Sequence, residues 1–269
     1  MPAWQPGEAI GLKLFTLFPQ NPARGLPTIH AQVLLFDGKT GVPVAVIDGT
    51  EITRRRTAAV AALAATFLAR EAASRLLVVG TGAQAPHNAL ALAAIRPIRE
   101  ITIWGRSRAR AEKTARDIAD AWPRQAESHG RKVRVPVADD LESAVRAADV
   151  VSCATSSSTP LVHGAWLAPG AHLDLVGSHS PNERECDDEA VRRARVYVDT
   201  MTNAMQEAGD VLMPIRSGVV PGSHVLGDLY GLCRGDVGGR QTADDITLFK
   251  SVGSAHADLA AARMVAAAS

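Results

Sequence analysis

Short apolar runs alternate with helix-period segments through the middle of this chain, and no other feature narrows its fold as much. The runs are RLLVVG (75–80), EITIWG (100–105), VRVPV (133–137), DVVSCAT (149–155), HLDLVG (172–177) and RVYVDT (195–200). Helical patterns over 84–95, 107–121, 140–148 and 187–194 separate most of them. Strands that return through helices in one direction build a parallel sheet covered on both faces. The expected fold class is therefore α/β, with a doubly wound parallel sheet at its centre.

The two ends read differently. GLKLFTLF (11–18) and TIHAQVLLFD (28–37) read as strands, and the turn residues DGKTG (37–41) lead into PVAVID, so the opening block is antiparallel. From Thr53 the period changes: Arg56, Val60, Leu63 and Phe67 recur at helical spacing, which predicts a helix over 53–70. At the far end ITLFKS (246–251) reads as a strand and 254–268 as an alanine-rich helix. The sequence thus predicts a smaller α+β domain split between 1–53 and 245–269, interrupted by an α/β domain over 54–244.

The first strand of the alternating region runs into Gly80-Thr81-Gly82-Ala83-Gln84-Ala85, followed by a helix with Pro86 in its first turn. This is a G-x-G-x-x-A form of the dinucleotide fingerprint. Gly80 makes the tight turn, and Gly82 lets the backbone approach a pyrophosphate. The small Ala85 lets the helix pack on the sheet, with the N-terminal amides of that helix facing the phosphates. An NAD site places a carboxylate on the adenosine ribose at the end of the next strand. Here that position reads Trp104-Gly105-Arg106-Ser107-Arg108, with no carboxylate. Arg106 and Ser107 suit a 2′-phosphate, which favours NADP and leaves NAD as the second choice. The bland alternative is a solvated, arginine-rich helix start.

Composition removes several function classes. Lys and Arg number 29 against 28 Asp and Glu, a net charge of +1, and aromatics make up 4%, so neither a nucleic-acid surface nor a membrane surface is expected. No apolar run approaches the ~18 residues of a membrane helix. The N-terminus has no signal-peptide design, and a cytoplasmic protein is expected. Cys153, Cys186 and Cys233 are odd in number and widely spaced, which excludes a disulfide framework; Cys153, within a strand, reads as a small buried hydrophobe. The eight histidines form no metal-ligand spacing, so no metal site is expected.

Two cationic residues remain. In the run Arg54-Arg55-Arg56, helical phase aims only Arg56 along the apolar stripe, where it needs an anionic partner: a substrate carboxylate or an internal Asp or Glu. Lys13 alternates with Leu12 and Leu14, so it faces away from them and by itself reads as a surface lysine.

Taken in order, GLKLFTLFPQN, GLPTIHAQVLLFDGKTG, DGTEITRRRTAAVAALAATFLA, VVGTGAQA and DDITLFKSVGSAHADLAAA resemble the ornithine cyclodeaminase/mu-crystallin family over essentially the whole chain. The resemblance implies a Rossmann domain on a smaller split substrate domain that serves for homodimerisation. It also implies a nicotinamide cofactor and a small amino or imino acid substrate. It assigns the family's catalytic lysine to Lys13 and its carboxylate-binding arginine, beside the cofactor, to Arg56. Cofactor contacts fall on Thr28, Ala83, Gln84, Thr155 and Ser251. Both cations thereby become candidate active-site residues.

Two departures qualify the resemblance. Where ornithine cyclodeaminases carry an aspartate for the substrate δ-amino group, this chain reads Gly177-Ser178-His179-Ser180-Pro181. His179 can act as acid or base near neutral pH but cannot pair with a cationic side chain as a carboxylate does. The segment is closer to the ketimine-reductase and mu-crystallin branch. The expected reaction is NADPH-dependent reduction of 1-pyrroline-2-carboxylate or 1-piperideine-2-carboxylate. The rivals are ornithine cyclodeamination, amino-acid dehydrogenation and a non-catalytic NADPH binder. The second departure is at the front. The family has several tens of residues before the GLK strand, including a carboxylate-binding arginine and an acidic residue. The expectation is a substrate domain truncated at its N-terminus, from a misplaced start or from a short chain of impaired activity.

Overall fold

The structure, a computed structural model, describes residues 1–18, 20–124 and 130–268. The chain begins with strands β1 (Pro2–Gln5), β2 (Ala9–Leu17), β3 (Ile29–Asp37) and β4 (Pro43–Asp48), followed by helix α1 (Gly49–Leu68). Strand–helix alternation then runs through β5 (Arg75–Val79), α2 (Gln84–Ile95), β6 (Glu100–Trp104), α3 (Arg108–Ala121), α4 (Leu141–Ala147) and β7 (Val150–Cys153). It continues through β8 (His172–Leu175), α5 (Asp188–Arg193), β9 (Arg195–Val198), α6 (Met201–Glu207) and α7 (Gly209–Arg216). The last elements are β10 (Val225–Asp228), α8 (Leu229–Arg234), β11 (Thr247–Lys250) and α9 (Ala255–Ala268). The chain divides into two compact units, Met1–Thr57 with Gly253–Ser269 and Ala58–Val252.

The smaller unit is a four-stranded antiparallel sheet in the order β1-β2-β3-β4. One face packs against α9, with Val33, Leu35, Ile52, Leu259 and Ala262 in the core. Period-2 alternation puts Ala9, Gly11 and Lys13 of β2 on this covered face and Ile10, Leu12 and Leu14 on the other. Lys13 does face away from its leucine neighbours, but inward rather than to solvent. The inward positions beside it are small, which lets α9 lie close to the sheet. Asp48 accepts the Thr50 and Glu51 amides at 2.8 and 3.3 Å, so α1 starts one turn ahead of the expected Thr53.

The larger unit is a seven-stranded, wholly parallel sheet in the order β10-β9-β11-β8-β7-β5-β6. Apolar clusters cover its two faces, one around Leu173, Val151 and Val196, the other around Ile101, Val78 and Leu92. Two expectations need correction. The strand at 246–251 was expected in the split domain, but β11 pairs with β8 and β9 inside the large sheet, so the second division falls after Val252 instead of before 245. The run 133–137 makes only isolated bridges to β6, at Arg134 and Val137, because Pro136 between them has no N–H to donate. Residues 201–234 fold into three short helices and the edge strand β10. Among the described residues no helix is long and apolar enough to cross a membrane.

Candidate functional site

The C-terminal ends of β5, β6 and β7 open onto a cleft of about 730 Å³. In open parallel sheets this edge is where nucleotides bind. Gly80, Thr81 and Gly82 form one wall, Trp104 to Ser107 a second, and Ala154 to Thr159 a third. Gly80 adopts φ +125°, and a Cβ there would stand 2.5 Å from the Ala154 carbonyl oxygen, so only glycine closes this turn. A Cβ at Gly82 would meet no atom within 4 Å, which leaves the backbone there open to a ligand. Ala83 immediately precedes α2 without a side-chain cap, and Ala85 is buried. Gln84 sits at the start of α2 and donates from Nε2 to Asn88 Oδ1 at 2.8 Å.

From Asn88 the bonding continues inward. Asn88 Nδ2 donates to Ser152 Oγ at 3.1 Å, and Ser152 Oγ to Asp174 Oδ2 at 2.6 Å. Asp174 is fully buried, and burial pushes its carboxyl up to about 7, opposed by the Ser152 hydrogen bond.

Arg106 and Ser107 are exposed and line the cleft together with Arg110, which the sequence reading did not single out. Ser107 also caps α3, accepting the Arg110 amide at 3.5 Å. Arg106 and Arg110 enter no ion pair among the described residues, whereas Arg108 is held by Glu112 and Asp139. The glycine turn and the open helix start fit the pyrophosphate of a dinucleotide, and Arg106 and Arg110 place two cations on the same cleft.

In the smaller unit Lys13 and Arg56 come together on one acid. Lys13 Nζ stands 2.7 Å from Asp258 Oδ2, and Arg56 Nε stands 2.9 Å from Asp258 Oδ1. All three side chains are at most 9% exposed. Thr53 Oγ1 accepts a further, longer bond from Lys13 at 3.4 Å. Burial and then the Arg56 charge lower the Lys13 pKa, and Asp258 opposes them. Of the two partners weighed for Arg56, the internal acid is present, at its Nε. Asp258 is a site residue that sequence reasoning missed. It is the one acid in the 255–268 helix and lies one turn before the buried Ala262, so helical phase alone places it on the covered stripe.

The remaining candidates lie on separate segments. Thr28 precedes β3, and its carbonyl accepts the Phe18 amide at 2.8 Å. Ser251 follows β11, and its hydroxyl donates to Asp199 at 3.2 Å. His179 is exposed on the turn after β8, with Nδ1 3.0 Å from the Gly177 carbonyl oxygen. A carbonyl only accepts, so Nδ1 is the donor in this contact and Nε2 is left outside it. Thr155 bonds through both its amide and its hydroxyl to the buried Glu185, which the sequence reading also passed over. Cys153 is fully buried, and burial pushes its thiol well up, so it behaves as a core residue.

A profile of the ornithine cyclodeaminase/mu-crystallin family matches residues 1–268. The chain belongs to that family. A Δ1-pyrroline-2-carboxylate reductase of Colwellia psychrerythraea is 38% identical over 266 residues, covering 98% of this chain and 81% of the relative. The ketimine reductase mu-crystallin of Rattus norvegicus is 35% identical over 268 residues, covering 98% and 78%. Among solved structures, the Thermococcus litoralis Δ1-pyrroline-2-carboxylate reductase in complex with NADH and L-proline superposes with a TM-score of 0.89 at 31% identity, over 97% of this chain and 78% of that one.

Proposed function

We propose that this protein reduces a small cyclic imino acid, 1-pyrroline-2-carboxylate or 1-piperideine-2-carboxylate, to proline or pipecolate with NADPH. The observation that carries the reading is the meeting of a buried ammonium and a guanidinium on Asp258. Such a substrate presents a carboxylate next to an imine nitrogen, so it calls for one fixed cation and one proton donor. Arg56 is the cation. Its Nε is taken by Asp258, and its two Nη groups, which enter no ion pair among the described residues, form the fork for a carboxylate. Lys13 is the donor: its ammonium passes a proton to the imine nitrogen and regains one from solvent. A lowered pKa eases that transfer. His179, with Nε2 free to exchange a proton, is the second acid–base group of this reading.

The bound reduced nicotinamide supplies the hydride that the imine carbon accepts. Gly80, Gly82, Ala83, Gln84 and Ala85 hold its pyrophosphate in this reading, and Thr28, Thr155 and Ser251 make further contacts. Arg106, Ser107 and Arg110 favour NADPH over NADH, because no carboxylate stands at the end of β6 to receive a ribose hydroxyl.

The small sheet also supports a homodimer. Its uncovered face carries the exposed Trp4, Ile10, Leu12, Leu14, Val44 and Val46, in cross-strand rows such as Leu12, Leu34 and Val46. An apolar face of this kind marks an association surface, and a second copy of the chain is its proposed occupant.

The deciding experiment follows NADPH oxidation by the purified chain with each imino acid, and ammonia release from ornithine in parallel. Oxidation with either imino acid and no ammonia is expected. NADPH binding without oxidation in either case rejects the reductase reading.

A further inference from the structure

We infer that Glu185 is a positioning residue for this reduction, locking the cleft loop that starts at Thr155 to the turn that carries His179. The inference rests on the reductase reading above. Glu185 has no solvent exposure, and its carboxylate accepts from three donors: the Thr155 amide and hydroxyl at 2.8 Å each on Oε1, and the Gly177 amide at 2.7 Å on Oε2. Only an acceptor-only group satisfies all three at once. A glutamine turns an NH₂ toward one of them.

The lock is tight on both sides. A Cβ at Gly177 would stand 1.9 Å from the Thr155 carbonyl oxygen and 2.4 Å from Glu185 Oε1, so the two segments already touch. The same peptide segment relays the contact onward. The Gly177 amide donates to Glu185, and the Gly177 carbonyl accepts from His179 Nδ1. Hydrogen bonds on both sides of Gly177, joined through its backbone, therefore link Thr155, on the cleft wall, to the imidazole.

Glu185 is in turn held from behind. Its amide donates to Asp210 Oδ1 at 2.6 Å, and its carbonyl accepts the Leu161 and Val162 amides at 2.8 and 3.0 Å. Lys250 Nζ stands 3.0 Å from Asp210 Oδ2 with neither side chain exposed, which supplies the positive charge that a buried carboxylate needs nearby. Burial pushes the Glu185 carboxyl up, and Lys250 opposes that shift. A carboxylate serving packing alone has no need for three donors drawn from the two loops that border the cleft and carry the imidazole.

The test uses the full chain with Glu185→Gln and Thr155→Val. Hydrogen exchange of segments 154–159 and 176–181 is read beside kcat, KM and the melting temperature. For Glu185→Gln, exchange is expected to rise in both segments and not elsewhere. Its kcat should fall about ten- to hundredfold, with KM for the imino acid changed less than about threefold. Thr155→Val leaves the buried charges in place and should loosen both segments, lowering kcat by at least about threefold. Wild-type exchange in 176–181 for either variant, or wild-type kcat for Glu185→Gln, overturns the inference. So does exchange that rises evenly along the chain. If Glu185→Gln does not fold, Thr155→Val alone decides. If the wild type reduces no imino acid, the reductase reading fails, and the exchange result still judges the lock.

Discussion

Lys13 Nζ and Asp258 Oδ2 stand 2.7 Å apart on the covered face of the small sheet, and the same carboxylate holds Arg56. In the proposed reduction Lys13 is the proton donor, and Asp258 sets the charge balance around it. The ammonium form donates, so turnover is present below the Lys13 pKa and lost as pH rises through it. Burial and Arg56 bring that limb below the ordinary 10.5, while Asp258 holds it up. Asp258→Asn should move the alkaline limb of the kcat profile to lower pH, and Arg56→Gln should move it to higher pH. Asp258→Asn also leaves two buried cations without their anion and should cost about 3 kcal/mol or more in stability, read by denaturant unfolding. Limbs that move in the same direction in both variants would sink this account.

How legible the chain was depended on where each residue's partners lie. The Gly80 to Ala85 turn could be read directly because its strand, turn and helix are contiguous and the chemistry is local. Strand alternation gave the correct phase for Lys13 but not the side. Apolar residues normally mark the inward face, and here Leu12 and Leu14 face out while small residues face α9. Nothing within β2 signals that the face opposite the leucines is the covered one. Asp258 lies 245 positions from Lys13 along the chain, so only its helical phase hints at burial. Glu185 sits in the charge-rich string NERECDDE and looks like one solvated acid among several. Its three donors come from Thr155 and Gly177, and no local pattern reports that pairing. The placement of 246–251 failed for a related reason. A strand does not announce which sheet it joins, and β11 slots between β8 and β9 although α9 directly follows it.

Arg106 tests the cofactor preference. It lines the cleft without an ion pair among the described residues, so its guanidinium is available to a 2′-phosphate. A charge-assisted bond of this kind contributes about 1.5–3 kcal/mol. Arg106→Ala should raise the KM for NADPH by about tenfold or more and leave that for NADH within about twofold. Equal changes for both cofactors would remove Arg106 from the discrimination.

The exposed sheet face makes a separate prediction about assembly. Val46 is 70% exposed, in the same cross-strand row as Leu12 and Leu34. Val46→Asp should leave the far-ultraviolet spectrum unchanged, since the side chain points away from the α9 core. It should shift the particle mass measured by light scattering from two chains to one. A wild-type chain that is already monomeric at all concentrations refutes the dimer reading.

Asp174 links helix α2 to pH. Its carboxyl is raised to about 7 from 3.8, with burial as the main cause. The folded protein therefore keeps a proton on Asp174 that the unfolded chain releases near pH 4. Between those values the folded state binds more protons, so this group's contribution is full below pH 4 and is lost as pH rises through 7. A difference of about three units corresponds to on the order of 4 kcal/mol. Asp174→Asn still accepts from Ser152 but does not ionise. Relative to the wild type, its stability should therefore improve steadily between pH 4 and 8 and level off above. Stabilities of the two proteins that run parallel from pH 4 to 8 would show that folding does not raise the Asp174 pKa. They would also leave the bonds from Asp174 through Ser152 and Asn88 to Gln84 with no part in the pH response.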